Sequence, residues 1–295
     1  MKFQLQDSFE FPTRNCPSIQ DLGGDMVFKD DSFVVLATTV EGEKIVFEYT
    51  LKGKFIRQIG QSGTNSGEYG NPLLLVLDPS GNVYVYDSSC GGTGKINIFA
   101  GEGTFIEDLE RHEHLPYTHR FLFDNQGNVL HLSNQDAVEE DSGILKLRKF
   151  PNLKGKSQYV HALIPRHMNS VGTHFGCGFC YRSSTDQLFF QLRTDYQIKE
   201  IDAETGEIEC VFGISPPGYR PLPEKYYGLG SISVEIGMEL RTETTLSGKM
   251  ILLGGRYLLA NHYNFPKSFP STWIIYDLDS MEREGKVLKK PDTVR

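Results

Sequence analysis

One segment of this chain is copied along its length, and the copying constrains the fold more than any other feature. Residues 72–109 read PLLLVLDPSGNVYVYDSSCGGTGKINIFAGEGTFIEDL. Four apolar runs (Leu73–Leu77, Val83–Tyr86, Ile96–Phe99 and Phe105–Leu109) are divided by the turn clusters Asp78-Pro-Ser-Gly-Asn and Ala100-Gly-Glu-Gly-Thr. Runs of this length, rich in Val, Ile, Tyr and Phe and bounded by Gly, Pro, Asp and Asn, are strands joined by hairpins. Four of them in up-down order make one twisted antiparallel sheet.

The same order recurs at residues 25–60, where GKFIRQIG (53–60) matches GTFIEDLE (103–110). It recurs at 120–163, where FDNQGNVLHL (123–132) aligns with LDPSGNVYVY (77–86), again at 176–213, and last at 249–288. Residues 214–248 hold the strand-like runs Ile232–Ile236 and Glu239–Thr245 and read as a degraded sixth copy. Copies begin about every 45–55 residues, a period that implies a propeller. No stretch shows a helical period, which excludes an alternating β-α-β topology. The single run Lys2–Phe11 has no nearby hairpin partner and is expected to complete the last sheet, closing the ring and covering its edge. The expected fold is all-β: a single-domain, six-bladed β-propeller over residues 1–295, with four-stranded antiparallel blades closed by the N-terminal strand and five blades as the alternative.

Thirty basic against 38 acidic residues give a net charge of −8, spread without blocks. Nucleic acid and anionic membrane surfaces are therefore disfavoured as partners. No run approaches the roughly 18 apolar residues of a membrane helix. The first residues lack the apolar core of a signal peptide. Cys16, Cys90, Cys177, Cys180 and Cys210 are an odd number at irregular spacing, which suits free thiols in a reducing compartment. These features give a cytoplasmic expectation. Cys177 and Cys180 fall within one strand, where residues three apart point to opposite faces, so with His174 they make a poor zinc set.

The pattern GKFIRQIGQSGTNSGEYGNPLLLVLDPSGNVYVYD resembles the NHL-repeat and TolB-like six-bladed propellers. It is especially similar to a bacterial group whose blades are linked by G-x-G-x-x-x-G-E-Y-x-x-P. Here the linker is Gly60-Gln-Ser-Gly63-Thr-Asn-Ser-Gly67-Glu68-Tyr69-Gly-Asn-Pro72, and residues 53–110 carry the close match. The resemblance implies the fold. It also implies, as the alternative localisation, a periplasmic protein or exported lipoprotein, should the chain be trimmed.

In a propeller, the loops that lead from one blade to the next share a face with the loops joining the middle strands of each blade. On that face this sequence places His119, Arg166, His167, His174, Arg220, Tyr227, His262 and Tyr263, the candidate ligand-binding residues around a channel mouth. Imidazole, guanidinium and phenol groups on a rigid scaffold suit a small molecule, a glycan or a protein partner. The expected function is a non-enzymatic binding propeller without a cofactor. No G-x-S-x-G elbow is present, and Gly91-Gly-Thr-Gly-Lys lacks the spacing and helix of a phosphate loop. The alternative is a metal-dependent hydrolase or lyase of the kind seen in six-bladed lactonases, with Ca²⁺ or Zn²⁺ near Asp25, Asn71, His119 and His174. That set holds one carboxylate, few for a hard cation.

Overall fold

A computed structural model describes residues 19–21, 25–88, 94–110, 118–133, 146–151, 153, 159–162, 177–227, 233–264, 272–283 and 293–294. They fall into two compact units, residues 3–115 and 116–295.

In the first unit, β1 (Ile19–Asp21) and β2 (Met26–Phe28) both pair with the long strand β3 (Ser32–Thr39). β1 takes the Thr38–Thr39 end and β2 the Phe33–Val35 end, so two pieces share the place of one strand. β4 (Lys44–Thr50) and β5 (Phe55–Ile59) complete the first blade. A short parallel bridge between β6 (Gln61–Ser62) and β7 (Glu68–Tyr69) leads into the second blade. That blade is β8 (Pro72–Leu77), β9 (Val83–Asp87), β10 (Lys95–Phe99) and β11 (Phe105–Glu110).

The second unit holds three more four-stranded antiparallel sheets. The third blade is β12 (Thr118–Phe123), β13 (Val129–Ser133), β14 (Lys146–Phe150) and β15 (Tyr159–Ala162). The fourth is β16 (Cys177–Arg182), β17 (Gln187–Leu192), β18 (Ile198–Asp202) and β19 (Ile208–Phe212). Helix α1 (Val234–Glu243) precedes the fifth: β20 (Leu246–Leu253), β21 (Tyr257–Tyr263), β22 (Thr272–Asp277) and, after the short helix α2 (Leu278–Arg283), β23 (Thr293–Val294).

Blade-on-blade packing explains why the strands read as continuous apolar runs instead of alternating ones. Along β3, Val34 and Leu36 pack with Ile59, Tyr69, Leu75 and Val85, between the first blade and the second. Their neighbours Phe33, Val35 and Ala37 turn to the other face and pack with Phe47 and Tyr49. Both faces are dry, so neither set can be polar.

The structure corrects the blade count: among the described residues there are five blades, the alternative, not six; four are four-stranded sheets, and in the first β1 and β2 share one strand's place. Of the stretch read as a degraded blade, residues 214–248, the described part is a loop with a 3-10 turn at Glu224–Tyr226 (214–227) and, from Ser233, α1 and the start of β20. Ser233 decides the matter locally, because its side chain accepts a hydrogen bond from the Ile236 N–H at 3.3 Å and caps the helix. Glu235 lies in the first turn and Arg241 in the last, where they complement the helix dipole. Gly237 and Leu240, three apart, bury one stripe. The expected closure also changes. The fifth sheet obtains its fourth strand from Thr293–Val294, paired with Trp273 and Ile274, whereas Lys2–Phe11 lies outside the described residues.

The copied turns have the same construction. Asp78 Oδ1 accepts from the Ser80 and Asn82 N–H groups, both at 2.9 Å, and Oδ2 accepts from Asn82 Nδ2 at 2.8 Å. Asp124 does the same with Gln126, Asn128 and Asn128 Nδ2, at 2.9, 2.8 and 2.7 Å. Each aspartate thus stands in for the backbone acceptors of a four-residue turn.

Candidate functional site

Of the sequence-derived candidates, Arg220, Tyr227, His262 and Tyr263 fall among the described side chains, all in the second unit. His119 lies on β12, and Arg166, His167 and His174 lie outside the described residues. Arg220, His262 and Tyr263 meet around a turn the sequence reading passed over, Arg193–Gln197 between β17 and β18.

That turn is braced from inside. Gln191 Nε2 donates to the Tyr196 carbonyl at 3.0 Å, and the Gln197 N–H donates to Asp195 Oδ1 at 3.1 Å. The start of β20 is laced to it. The Ser247 N–H donates to the Arg193 carbonyl at 2.6 Å, and the Ser247 hydroxyl donates to the Asp195 carbonyl at 2.7 Å. Ser247 pairs across the strands with His262, whose Nδ1 lies 3.1 Å from the same hydroxyl. Arg193 donates to the Tyr263 hydroxyl, and its guanidinium carbon sits 5.9 Å from that ring's centre.

The segment before α1 covers the flank. The Tyr219 hydroxyl donates to the Thr194 carbonyl at 3.3 Å, and its ring meets Tyr196 edge-on at 4.9 Å. The Arg220 carbonyl accepts from the Thr245 N–H at 2.9 Å, the Arg220 N–H donates to Thr245 Oγ1 at 2.8 Å, and the guanidinium donates to Asn264 Oδ1 from Nε at 3.3 Å and Nη2 at 3.1 Å. A further guanidinium bond goes to the Thr242 carbonyl. Arg220 therefore clamps the end of α1 to the end of β21. Tyr227 stands next to the 3-10 turn and is exposed.

Beneath this rim the site is dry and polar. Gln191, Thr194, Thr244 and His262 are each at most 1% exposed. Among the described residues, Gln191 Oε1, Thr194 Oγ1, Thr244 Oγ1 and His262 Nε2 have no hydrogen-bond partner. Burial pushes the His262 imidazole down to about 4 and raises the Asp195 carboxyl, the latter opposed by the Gln197 and Tyr196 N–H groups. The Ser247–His262 contact resembles a nucleophile and its base, but both residues are 1% exposed. A hydroxyl so enclosed cannot reach a substrate carbonyl.

The His262 environment makes stability depend on pH. The unfolded imidazole takes a proton below about 6.5 and the native one only below about 4. Between these values the unfolded chain binds more protons, so the stability is complete above pH 6.5 and is lost as pH falls towards 4. The difference corresponds to about 3 kcal/mol. Asp195, raised in the folded state, acts in the opposite sense. The comparison is therefore of denaturant unfolding at pH 7 and pH 4.5 for wild type and His262→Gln. The acid loss is expected to be smaller in the variant, and an unchanged loss would remove His262 from the account.

The lactonase-type metal set fares differently. Asn71 Oδ1 accepts from the Lys44 ammonium at 2.6 Å, and Asn71 Nδ2 donates to Ser88 Oγ at 2.7 Å. Asp25 Oδ2 accepts from the Leu75 N–H at 3.2 Å. A cation at Asn71 would compete with an ammonium already on the same oxygen, so this residue does not fit a metal ligand. Among the described residues no three His, Cys, Asp or Glu side chains stand close enough to share one. Cys180 is a free thiol on β16 that burial pushes up to about 12, opposite to what a redox or zinc-binding cysteine needs.

No protein-family model matches the chain, and no curated protein matches it. Solved structures do. A Bacteroides fragilis protein assigned as exported shares 14% identity at a TM-score of 0.62, over 96% of this chain and 73% of that one. A member of the DUF4221 family from Bacteroides vulgatus shares 11% identity at 0.62, over 91% and 82%. A periplasmic gluconolactonase of Pseudomonas aeruginosa shares 11% identity at 0.50, over 92% and 70%. At these identities the likeness concerns the fold: an all-β propeller with four-stranded antiparallel blades. Among the described residues, no helix is long and apolar enough to cross a membrane.

Proposed function

We propose that this protein is a non-enzymatic binding propeller whose recognition surface is the loop face around the Arg193–Gln197 turn. The observation that supports it is the meeting of Arg193, Tyr196, Tyr219, Arg220 and Tyr263 on one hydrogen-bonded frame, with the exposed Tyr227 following on the same segment as Tyr219 and Arg220. Tyrosine and arginine give large contact area at low entropic cost, and they dominate binding surfaces. Bracing by Gln191, Ser247 and Asn264 holds those groups in place before a ligand arrives, which lowers the ordering cost of binding.

The test is an array of glycans and peptides probed with the labelled intact protein. Wild type is expected to give a discrete set of binders, and Tyr227→Ala to weaken them about tenfold without changing the thermal midpoint. Retained binding in that variant would move the surface elsewhere. A stoichiometric Ca²⁺ or Zn²⁺ in purified protein, with melting lowered by EDTA, would overturn this reading in favour of the lactonase type. An extracytoplasmic setting suits a glycan- or peptide-binding face and accords with the exported and periplasmic neighbours. Cell fractionation that finds the native protein only in the cytoplasm would reject it.

A further inference from the structure

The hydrogen bonds around Arg220 use up acceptors and leave donors. Its N–H donates to Thr245 Oγ1, and that hydroxyl donates in turn to Asn264 Oδ1 at 2.7 Å. The same Oδ1 receives the guanidinium from Nε and Nη2. A guanidinium can only donate, so the orientation of the Asn264 amide is fixed and its oxygen is filled by three donors. The Asn264 NH₂ is left without an acceptor among the described residues.

Arg220 also has donors to spare. Of its five N–H groups, Nε gives one to Asn264, Nη2 one to Asn264 and Nη1 one to the Thr242 carbonyl, so one N–H remains on each terminal nitrogen. Both residues are only half-buried, and the Nη1 bond lies at the surface. The guanidinium is bound by neutral oxygens, and among the described residues no carboxylate pairs with it. Glu239 and Glu243, on the helix that ends beside it, are both held by the Lys225 ammonium at 2.9 Å. The Asp195 carboxylate accepts from the Gln197 N–H, and the cation acting on it is Lys199. The cluster thus offers solvent a positive charge and N–H donors.

We propose that Arg220 and Asn264 form an anion site that receives one carboxylate of an acidic peptide, with Arg220 supplying the charge and Asn264 the neighbouring donor. An ionised carboxylate brings acceptors only, which is what this cluster can satisfy. A sugar acid would add hydroxyl protons for which the cluster has no acceptor left. A net charge of −8 disfavours a polyanion, whereas one guanidinium matches a single carboxylate. The inference rests on the binding reading above, and it names the partner for the Arg220 end of that face.

The experiment follows the side-chain NH₂ signals of the ¹⁵N-labelled intact protein, with the Asn264 pair assigned by its loss in Asn264→Asp. That pair is expected to shift saturably with the peptide acetyl-Ala-Ala-Glu-Ala-Ala-amide, and not with the same peptide carrying Gln for Glu. The affinity should fall severalfold when sodium chloride is raised from about 0.05 to about 0.5 M. Asn264→Asp keeps Oδ1 for Arg220 and Thr245 but sets a carboxylate oxygen where the NH₂ was. By anisotropy of the fluorescein-labelled Glu peptide, it should bind at least about tenfold more weakly, with no fall in thermal midpoint. If that variant fails to fold, the wild-type titrations with the Glu and Gln peptides still decide. An all-alanine peptide with a free C-terminus that binds as well as the Glu peptide would support chain termini as the source, and binding of the Glu peptide alone would support acidic side chains. No shift, equal response to Glu and Gln, full affinity in Asn264→Asp, or tighter binding of glucuronate or a phosphoserine peptide would overturn the proposal. Array binding lost in Tyr227→Ala with no response to the Glu peptide would sink the anion site and leave the wider face. A Glu-peptide response with array binding unaffected by Tyr227→Ala would do the reverse.

Discussion

Replacing Tyr69 by alanine is expected to lower the unfolding free energy by about 4 kcal/mol, read as a lower denaturant midpoint. The side chain is fully buried between the first two blades, among Ile59, Val85 and Phe99. Its hydroxyl accepts from the Val46 N–H at 3.0 Å and donates to the Ile59 carbonyl at 2.7 Å. It thus joins facing residues of β4 and β5 to the linker that leads into the next blade. Tyr69→Phe keeps the ring and leaves that N–H and carbonyl dry and unpaired, at a cost of about 2 kcal/mol. Gly60 shows how tightly the ring is held: its φ is +67°, and a Cβ would lie 2.7 Å from the Tyr69 ring and 2.8 Å from Phe99. Equal midpoints for wild type and both variants would show that the linker does not hold the blades together.

Lys149→Ala should be about as costly. Lys149 Nζ lies 3.0 Å from Asp124 Oδ2, with 5% and 2% of the two side chains exposed. It also donates to the Ala203 carbonyl of the fourth blade at 3.1 Å. Removing the ammonium leaves a buried carboxylate held only by its turn, a change that typically costs 3–5 kcal/mol. Burial alone would raise the Asp124 carboxyl, but the bonds from Asn128 and Lys149 outweigh it and hold the group below its ordinary value. A carboxylate depressed in the folded state stabilises above its unfolded pKa of about 4, and that contribution is lost as pH falls through the lower native value. The double variant Asp124→Asn, Lys149→Met should recover part of the loss. A double variant no more stable than Lys149→Ala would argue against the charge explanation.

The repeats were legible because turn chemistry is local. GNVYVY and GNVLHL announce the same hairpin, and Asp78 and Asp124 build it with the same bonds. The missing sixth blade was less legible. Val234, Ile236, Met238 and Leu240 alternate like a strand, and only the Ser233 cap and the charges of the first and last turns, Glu235 and Arg241, favour a helix. Arg220, His262 and Tyr263 were singled out because loop position and residue type point the same way, and the structure brings them near one turn. Asn71 looked free to bind a metal because its partner Lys44 lies 27 residues earlier and no spacing rule connects them. Gln191, at the end of the apolar strand β17, and Thr194, in the turn after it, were not singled out. The signal lay in parity with Phe189 and in a strand-joining turn that the same loop-face rule would have selected.

The Lys149–Ala203 bond also has a consequence for how the chain matures during synthesis. Its two ends are 54 residues apart. At ordinary elongation speeds of about 5–20 residues per second, roughly 3–11 s pass between their appearance at the ribosome. During that interval the lysine end of the third blade is without its carbonyl, and the face that meets Leu188, Phe190 and Ile201 is without its cover. Neighbouring blades of this unit should therefore become protease-resistant in pairs. A nascent chain halted before residue 203 would remain a substrate for chaperones.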